Sequence, residues 1–190
     1  MNGSPIALWI GPRKQYFCSK LPAMLSKKVQ DSLNKQIEVE AYSSQVYLAM
    51  ASWAETSGLN GVAAFLYTHA DEERMHMLKL VGYVNERGGN AEIPALKKPP
   101  KTYKSVRDVF QQILDHERKV SMDINNVVDL TLKEKDYITH NFMQWYVAEQ
   151  MEEEGLAQNM IDKLNLISED AGGLYLFDRD LEASQKKMKG

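Results

Sequence analysis

The six prolines, Pro5, Pro12, Pro22, Pro94, Pro99 and Pro100, leave two long stretches, residues 23–93 and 101–190, with none. Proline removes a backbone donor and clashes with the preceding turn of a helix. Two proline-free stretches flanking a Pro-containing connector therefore predict two helical hairpins. The remaining punctuation agrees. Ser26 can cap a helix running to about Glu55, with Ser57-Gly58 as its stop. A second helix starts near Asn60 and ends at Arg87, before Gly88-Gly89. Ser105 and Asp108 have capping-box spacing at the head of a third, a fourth spans about 136–167, and a short fifth follows Gly172-Gly173. Helices of about 28 residues are roughly 42 Å long, so the expected fold is all-α, a four-helix bundle. Residues 88–104, extended at about 3.3 Å each, reach roughly 55 Å. That is enough for one long crossover that starts the third helix parallel to the second.

Composition narrows the function classes. The 26 acidic and 23 basic side chains give a net charge of −3 and no basic footprint for nucleic acid. A single cysteine, Cys18, rules out an intramolecular disulfide and suits a reducing compartment such as the cytoplasm. No apolar run approaches the length of a membrane span. Residues 1–23 hold three of the six prolines and lack a clear secretory pattern. They read as an extension of unknown role before a domain at 24–185, with 186–190 as a tail.

Each long helix carries an apolar stripe at the 3.6-residue period, interrupted near its middle. The first runs Val29, Leu33, Ile37, Glu40, Ser44, Tyr47, Ala51; the second Val62, Leu66, His69, Glu73, His76, Leu80, Val84. The third runs Val106, Phe110, Ile113, Glu117, Val120, Ile124, Val127; the fourth Phe142, Tyr146, Gln150, Glu153, Ala157, Met160, Leu164. Glu40 and Glu73 are 33 residues apart, as are Glu117 and Gln150, so both hairpins place the interruption at one height. Buried carboxylates are strongly disfavoured without partners, and no Lys or Arg occupies these stripes. Two divalent cations would neutralise Glu40, Glu73, Glu117 and Glu153. Carboxylates alone would suit Mg, Ca or Mn; adding His76, at i, i+3 from Glu73, favours Fe, Zn or Mn.

These residues resemble the bacterial non-haem ferritins, members of the ferritin-like di-iron carboxylate family. The resemblance covers about residues 24–181, through Glu40-Ala-Tyr-Ser-Ser44, His69-Ala-Asp-Glu-Glu-Arg-Met-His76, the segment around Glu117, the run from Gln144 to Glu154 and Gly173-Leu-Tyr-Leu-Phe-Asp178. The wider family uses a Glu from each of two helices and a Glu-x-x-His from each of the others. Gln150-Met-Glu-Glu153 replaces the second Glu-x-x-His, which is the ferritin variant and argues against bacterioferritin. The resemblance implies that Glu40, Glu73 and His76 hold one iron and that Glu73, Glu117 and Gln150 hold the other. Glu73 then bridges the two, and Glu153 swings between them. It further implies a third iron at Glu72, Glu149, Glu152 and Glu153, with Tyr47 beside the pair. The implied activity is ferroxidation: Fe(II) oxidised by dioxygen or hydrogen peroxide, then stored as Fe(III) oxide in a homo-oligomeric cage of 24 copies, with the last helix at four-fold contacts.

Other residues read more plainly. His69 is expected to be a hydrogen-bonded core histidine, His116 and His140 exposed, Glu154 on the surface and Trp145 a packing residue. The ten methionines sit mostly at core spacing, and no haem is assigned. Two alternatives stay open: a rubrerythrin-like di-iron peroxidase, which would want a Cys-rich module, and a non-enzymatic helical scaffold with solvated acids.

Overall fold

A first helix, α1 (Lys27–Thr56), is capped by Ser26, whose hydroxyl accepts from the Val29 amide. The computed structural model describes residues 25–167 and 170–188, so the expectations for residues 1–23 and Cys18 lie outside the described residues. The other helices are α2 (Asn60–Glu86), α3 (Val106–Lys133), α4 (Tyr137–Leu166) and α5 (Ala171–Met188). Ser105 accepts from the Asp108 amide as the capping box predicts, but the Asp108 carboxylate returns to the Lys104 amide, one residue earlier than the motif. Asp136 caps α4 through the Thr139 amide and also pairs with Arg87, fastening the end of α2 to the start of α4.

Cross-helix contacts give the topology. Tyr47 meets Glu117 while Lys28 meets Glu134, so α1 runs antiparallel to α3. Tyr83 meets Thr139 while His69 meets Glu153, so α2 and α4 are antiparallel as well. With α1 and α2 forming a hairpin, α2 and α3 run parallel, and residues 87–105 make the long crossover. The architecture is the expected four-helix bundle with a fifth helix.

The core is divided. One apolar cluster is built around Tyr47, Leu66, Phe110 and Met160, and a second around Leu33, Leu80, Ile124 and Met143. In each of the four long helices the interrupting carboxylates, with His76 and Gln150, fall between the two clusters. Of the stripe positions, only Ser44 and Phe142 are half-buried; the rest are buried.

Helix α5 is the expected short fifth helix, but it starts before Gly172-Gly173 and not after them because Asp170 caps it, accepting from the Gly173 amide, so both glycines sit inside its first turn. It continues to Met188, into the stretch read as a tail. It packs on the start of α2, where the N-cap residue Leu59 supplies no side-chain acceptor. Asp178 of α5 takes over, its Oδ1 accepting from the Val62 amide at 2.8 Å. The approach requires Gly61, because a Cβ there would lie 1.8 Å from the Asp178 carbonyl oxygen. Gly61→Ala is therefore expected to push α5 off α2 and cost about 1–3 kcal/mol, read as a lower denaturation midpoint; an unchanged midpoint would contradict this packing. Phe177 and Leu181 are buried in the contact, whereas Tyr175 stays 67% exposed.

Candidate metal centre

Between the two apolar clusters lie Glu40, Glu73, His76, Glu117, Gln150 and Glu153, all buried, with Glu40 and Glu117 only 1% exposed. One ligand atom from each of Glu40, Glu73 and His76 falls within 4.8 Å of the others. His76 Nδ1 is 3.9 Å from both Glu40 Oε2 and Glu73 Oε2. Glu117 faces them from α3: the Tyr47 hydroxyl donates to its Oε1 at 2.6 Å, and Gln150 Nε2 donates to its Oε2 at 3.1 Å. The structure thus groups Glu40, Glu73 and His76 and sets Glu117, with Tyr47 and Gln150 bonded to it, near enough to act on the Glu73 carboxyl.

A second group stands beside the first. His69, Glu72 and Glu153 also place ligand atoms within 4.8 Å of one another. His69 Nδ1 lies 3.0 Å from Glu72 Oε2 and 3.6 Å from Glu153 Oε2. A cavity of about 300 Å³ next to them is lined also by Glu149 and Glu152. All four acids expected at a third position thus line one cavity.

The electrostatics are those of carboxylates lacking countercharge. Burial pushes the Glu40 carboxyl up to about 7 against the hydrogen bond from Gln36, and Glu153 likewise to about 7. Glu73 is raised well above the carboxylate range by burial and then by the neighbouring Glu40 and Glu117. His76 is lowered to about 4, chiefly by burial, which leaves its imidazole neutral and able to coordinate. Burial also raises the Tyr47 hydroxyl, which keeps its proton and donates it to Glu117. Hard carboxylate oxygens with one imidazole fit a pair of divalent transition ions.

Several neighbours differ from expectation. Gln36, not anticipated, donates to Glu40 Oε1 at 2.7 Å; its place one turn before Glu40 was the available signal. His69 is buried and hydrogen-bonded as a core histidine should be, yet its partner Glu72 draws it into the second group. His116 and His140 are half-buried rather than exposed. Packing of α1 on α3 brings Ser43 Oγ to 2.7 Å from His116 Nε2, and His140 Nδ1 is enclosed without a hydrogen-bond partner. Glu154 is half-buried because the Ser121 hydroxyl donates to it. Trp145 packs edge-on against His76 at 5.3 Å, under the Lys79 ammonium.

Comparison with known proteins bears on this arrangement. The family model described as the ferritin-like domain matches residues 30–167. A probable bacterial non-haem ferritin-like protein of Haemophilus influenzae is 47% identical over 158 residues, 83% of this chain and 96% of the relative. A bacterial non-haem ferritin of Campylobacter jejuni is 44% identical over 167 residues, 86% of this chain and all of the relative. Among solved structures, an open-pore ferritin of the archaeon Archaeoglobus fulgidus superposes with a TM-score of 0.82 at 40% identity, covering 84% of this chain and 97% of its own. With a buried carboxylate and imidazole layer between the two halves of a four-helix core, and with these similarities over most of its length, the chain belongs to the ferritin family, close to the bacterial non-haem ferritins.

Proposed function

We propose that this chain is an iron-storage ferritin subunit that oxidises Fe(II) with dioxygen and keeps the Fe(III) as hydrated oxide inside a homo-oligomeric cage of 24 copies in the cytoplasm. The observation that carries the reading is the buried layer of four carboxylates from four helices, without a Lys or Arg in the stripes and with the neutral His76 imidazole at the same level. Iron is the substrate. Glu40 and His76 hold one Fe(II), Glu117 and Gln150 hold a second, and Glu73 is shared; in support, the Glu73 carboxyl feels both Glu40 and Glu117. Two Fe(II) side by side supply the two electrons that take one dioxygen, with two protons, to the level of hydrogen peroxide, which one iron alone does poorly. Tyr47 orients Glu117 through its hydrogen bond. Glu153 turns between the pair and a third position at Glu72, Glu149 and Glu152, giving oxidised iron a way out.

A rubrerythrin-like peroxidase is less well supported, because the chain's single cysteine cannot build a Cys-rich electron-transfer module. The test adds Fe(II) aerobically to the purified protein, follows the Fe(III) absorbance, then sizes the particle and counts retained iron. Oxidation well ahead of the buffer control and a large iron-filled particle are expected. Oxidation no faster than buffer, or a small particle holding a few ions, would remove the storage reading.

A further inference from the structure

Gln150 is the one amide among the proposed ligands, and an amide can present either its oxygen or its nitrogen. Only the oxygen can bind a cation. What decides the orientation is a hydrogen-bonded chain reaching in from the surface between α3 and α4. At its outer end Glu154 accepts from the Ser121 hydroxyl. A carboxylate can only accept, so the serine proton is committed outward and its lone pairs face the bundle. Gln150 Nε2 lies 3.5 Å from Ser121 Oγ, and donates to Glu117 Oε2 at 3.1 Å and to the Glu117 carbonyl at 3.2 Å. The Tyr47 hydroxyl already donates to the other oxygen of Glu117, which leaves Oε2 for the amide.

Each of these contacts faces a donor. Turning the Gln150 amide over would set its oxygen against the Glu117 carboxylate, the Glu117 carbonyl and the Ser121 lone pairs, three acceptors at once. The serine end is the vulnerable one. A cavity of about 310 Å³, lined by Ser121, Asn125, Val147, Gln150, Met151 and Glu154, gives access to the chain there. Without the serine, water can take its place and offer either polarity.

We propose that Ser121 and Glu154 are positioning residues that hold the Gln150 amide with its carbonyl oxygen free for a cation. This rests on the reading of Gln150 as a ligand given above. Neither residue touches the ions, and neither lies on the apolar stripes that flagged the ligands themselves.

The test titrates Co(II), which reports its ligands through ligand-field absorption and needs no turnover, into the full-length protein and three variants. The wild type takes two equivalents at the pair. Ser121→Ala weakens one of them about tenfold, as loss of an outer-shell partner does, and shifts its absorption band while the other equivalent is untouched. Ser121→Thr, which keeps the hydroxyl, restores both. Glu154→Gln acts in the same direction as Ser121→Ala, because its amide can donate to Ser121, turn the serine proton inward and favour the flipped Gln150. Unchanged affinity and spectra in Ser121→Ala and Glu154→Gln overturn the proposal and leave the metal centre standing. Equal weakening of both equivalents together with a lowered melting temperature overturns it in favour of a merely structural contact. A wild type that takes up no Co(II) instead strikes the metal-centre reading itself.

Discussion

Glu73→Ala is expected to reduce iron oxidation to the rate of the buffer control while the helical fold persists. Removing an outer-shell partner of a metal ligand costs about 10–100-fold in affinity or activity. A carboxylate shared by both ions should cost more than about 100-fold. Glu73→Gln sharpens the experiment, since it keeps the volume and removes only the charge. Glu73 is buried with Glu40 and Glu117 pushing its carboxyl well above the usual range, so its ionised form opposes folding. The metal-free Glu73→Gln protein is therefore expected to melt higher than wild type at pH 8 while oxidising no iron. Stopped-flow absorbance and calorimetry on one preparation read both halves. A scaffold with solvated acids predicts neither: the variant would leave stability alone and there would be no oxidation to lose. If Glu73→Gln oxidises iron at the wild-type rate, the shared-ligand assignment fails.

Divalent cations are expected to raise the melting temperature of the metal-free protein substantially, and more at pH 8 than at pH 5.5. The sign follows from the raised carboxyls. Glu40 and Glu153 titrate at about 7 in the folded chain, against a reference value of 4.5. The folded state then holds more protons than the unfolded one between those values. The stabilisation from these groups is complete below about 4.5 and lost as the pH rises through about 7. At pH 8 the metal-free protein carries the full cost of burying these charges, and a bound cation removes it. A ligand present at 100 times its dissociation constant contributes about 2.7 kcal/mol per site. For a domain of this size that corresponds to a shift on the order of 5–10 °C. Calorimetry with Zn(II) or Co(II) at both pH values checks the size and the order. A cation effect absent at pH 8, or larger at pH 5.5, would contradict the reading of these carboxylates as a cation site.

The charge balance looks different in this light. Seven of the 26 acidic residues converge at the centre and its neighbouring group, and the rest of the chain is net basic. A near-neutral protein can thus concentrate negative charge where a packed core would exclude it, provided that cations are available to share the layer.

The centre was legible because a helix writes its buried face into its own sequence. Glu40, Glu73, Glu117 and Gln150 stand on apolar stripes whose period of 3.6 is a local property, and the repeated spacing of 33 residues sets them at one height in two antiparallel hairpins. The conflict between burial and charge then follows from solvation alone, before any contact is known. What the period cannot convey is the neighbour across the gap. That depends on how far each helix slides and turns when the cores interlock. Only this packing put Ser43 on His116, brought Glu153 to His69, and set Ser121 between Glu154 and Gln150. The last helix makes the same point. Of its apolar run only Phe177 is buried on its own bundle while Tyr175 and Leu176 stay exposed, and that docking turned on Gly61, which lets the two backbones touch, and on Asp178, which caps a helix start that lacked a cap of its own. Sequence by itself determined the helices, their inward faces and the need for cations. Tertiary structure decided which side chains of neighbouring helices hold the ligands in place, because that information lies in the relative positions of helices and not within any one of them.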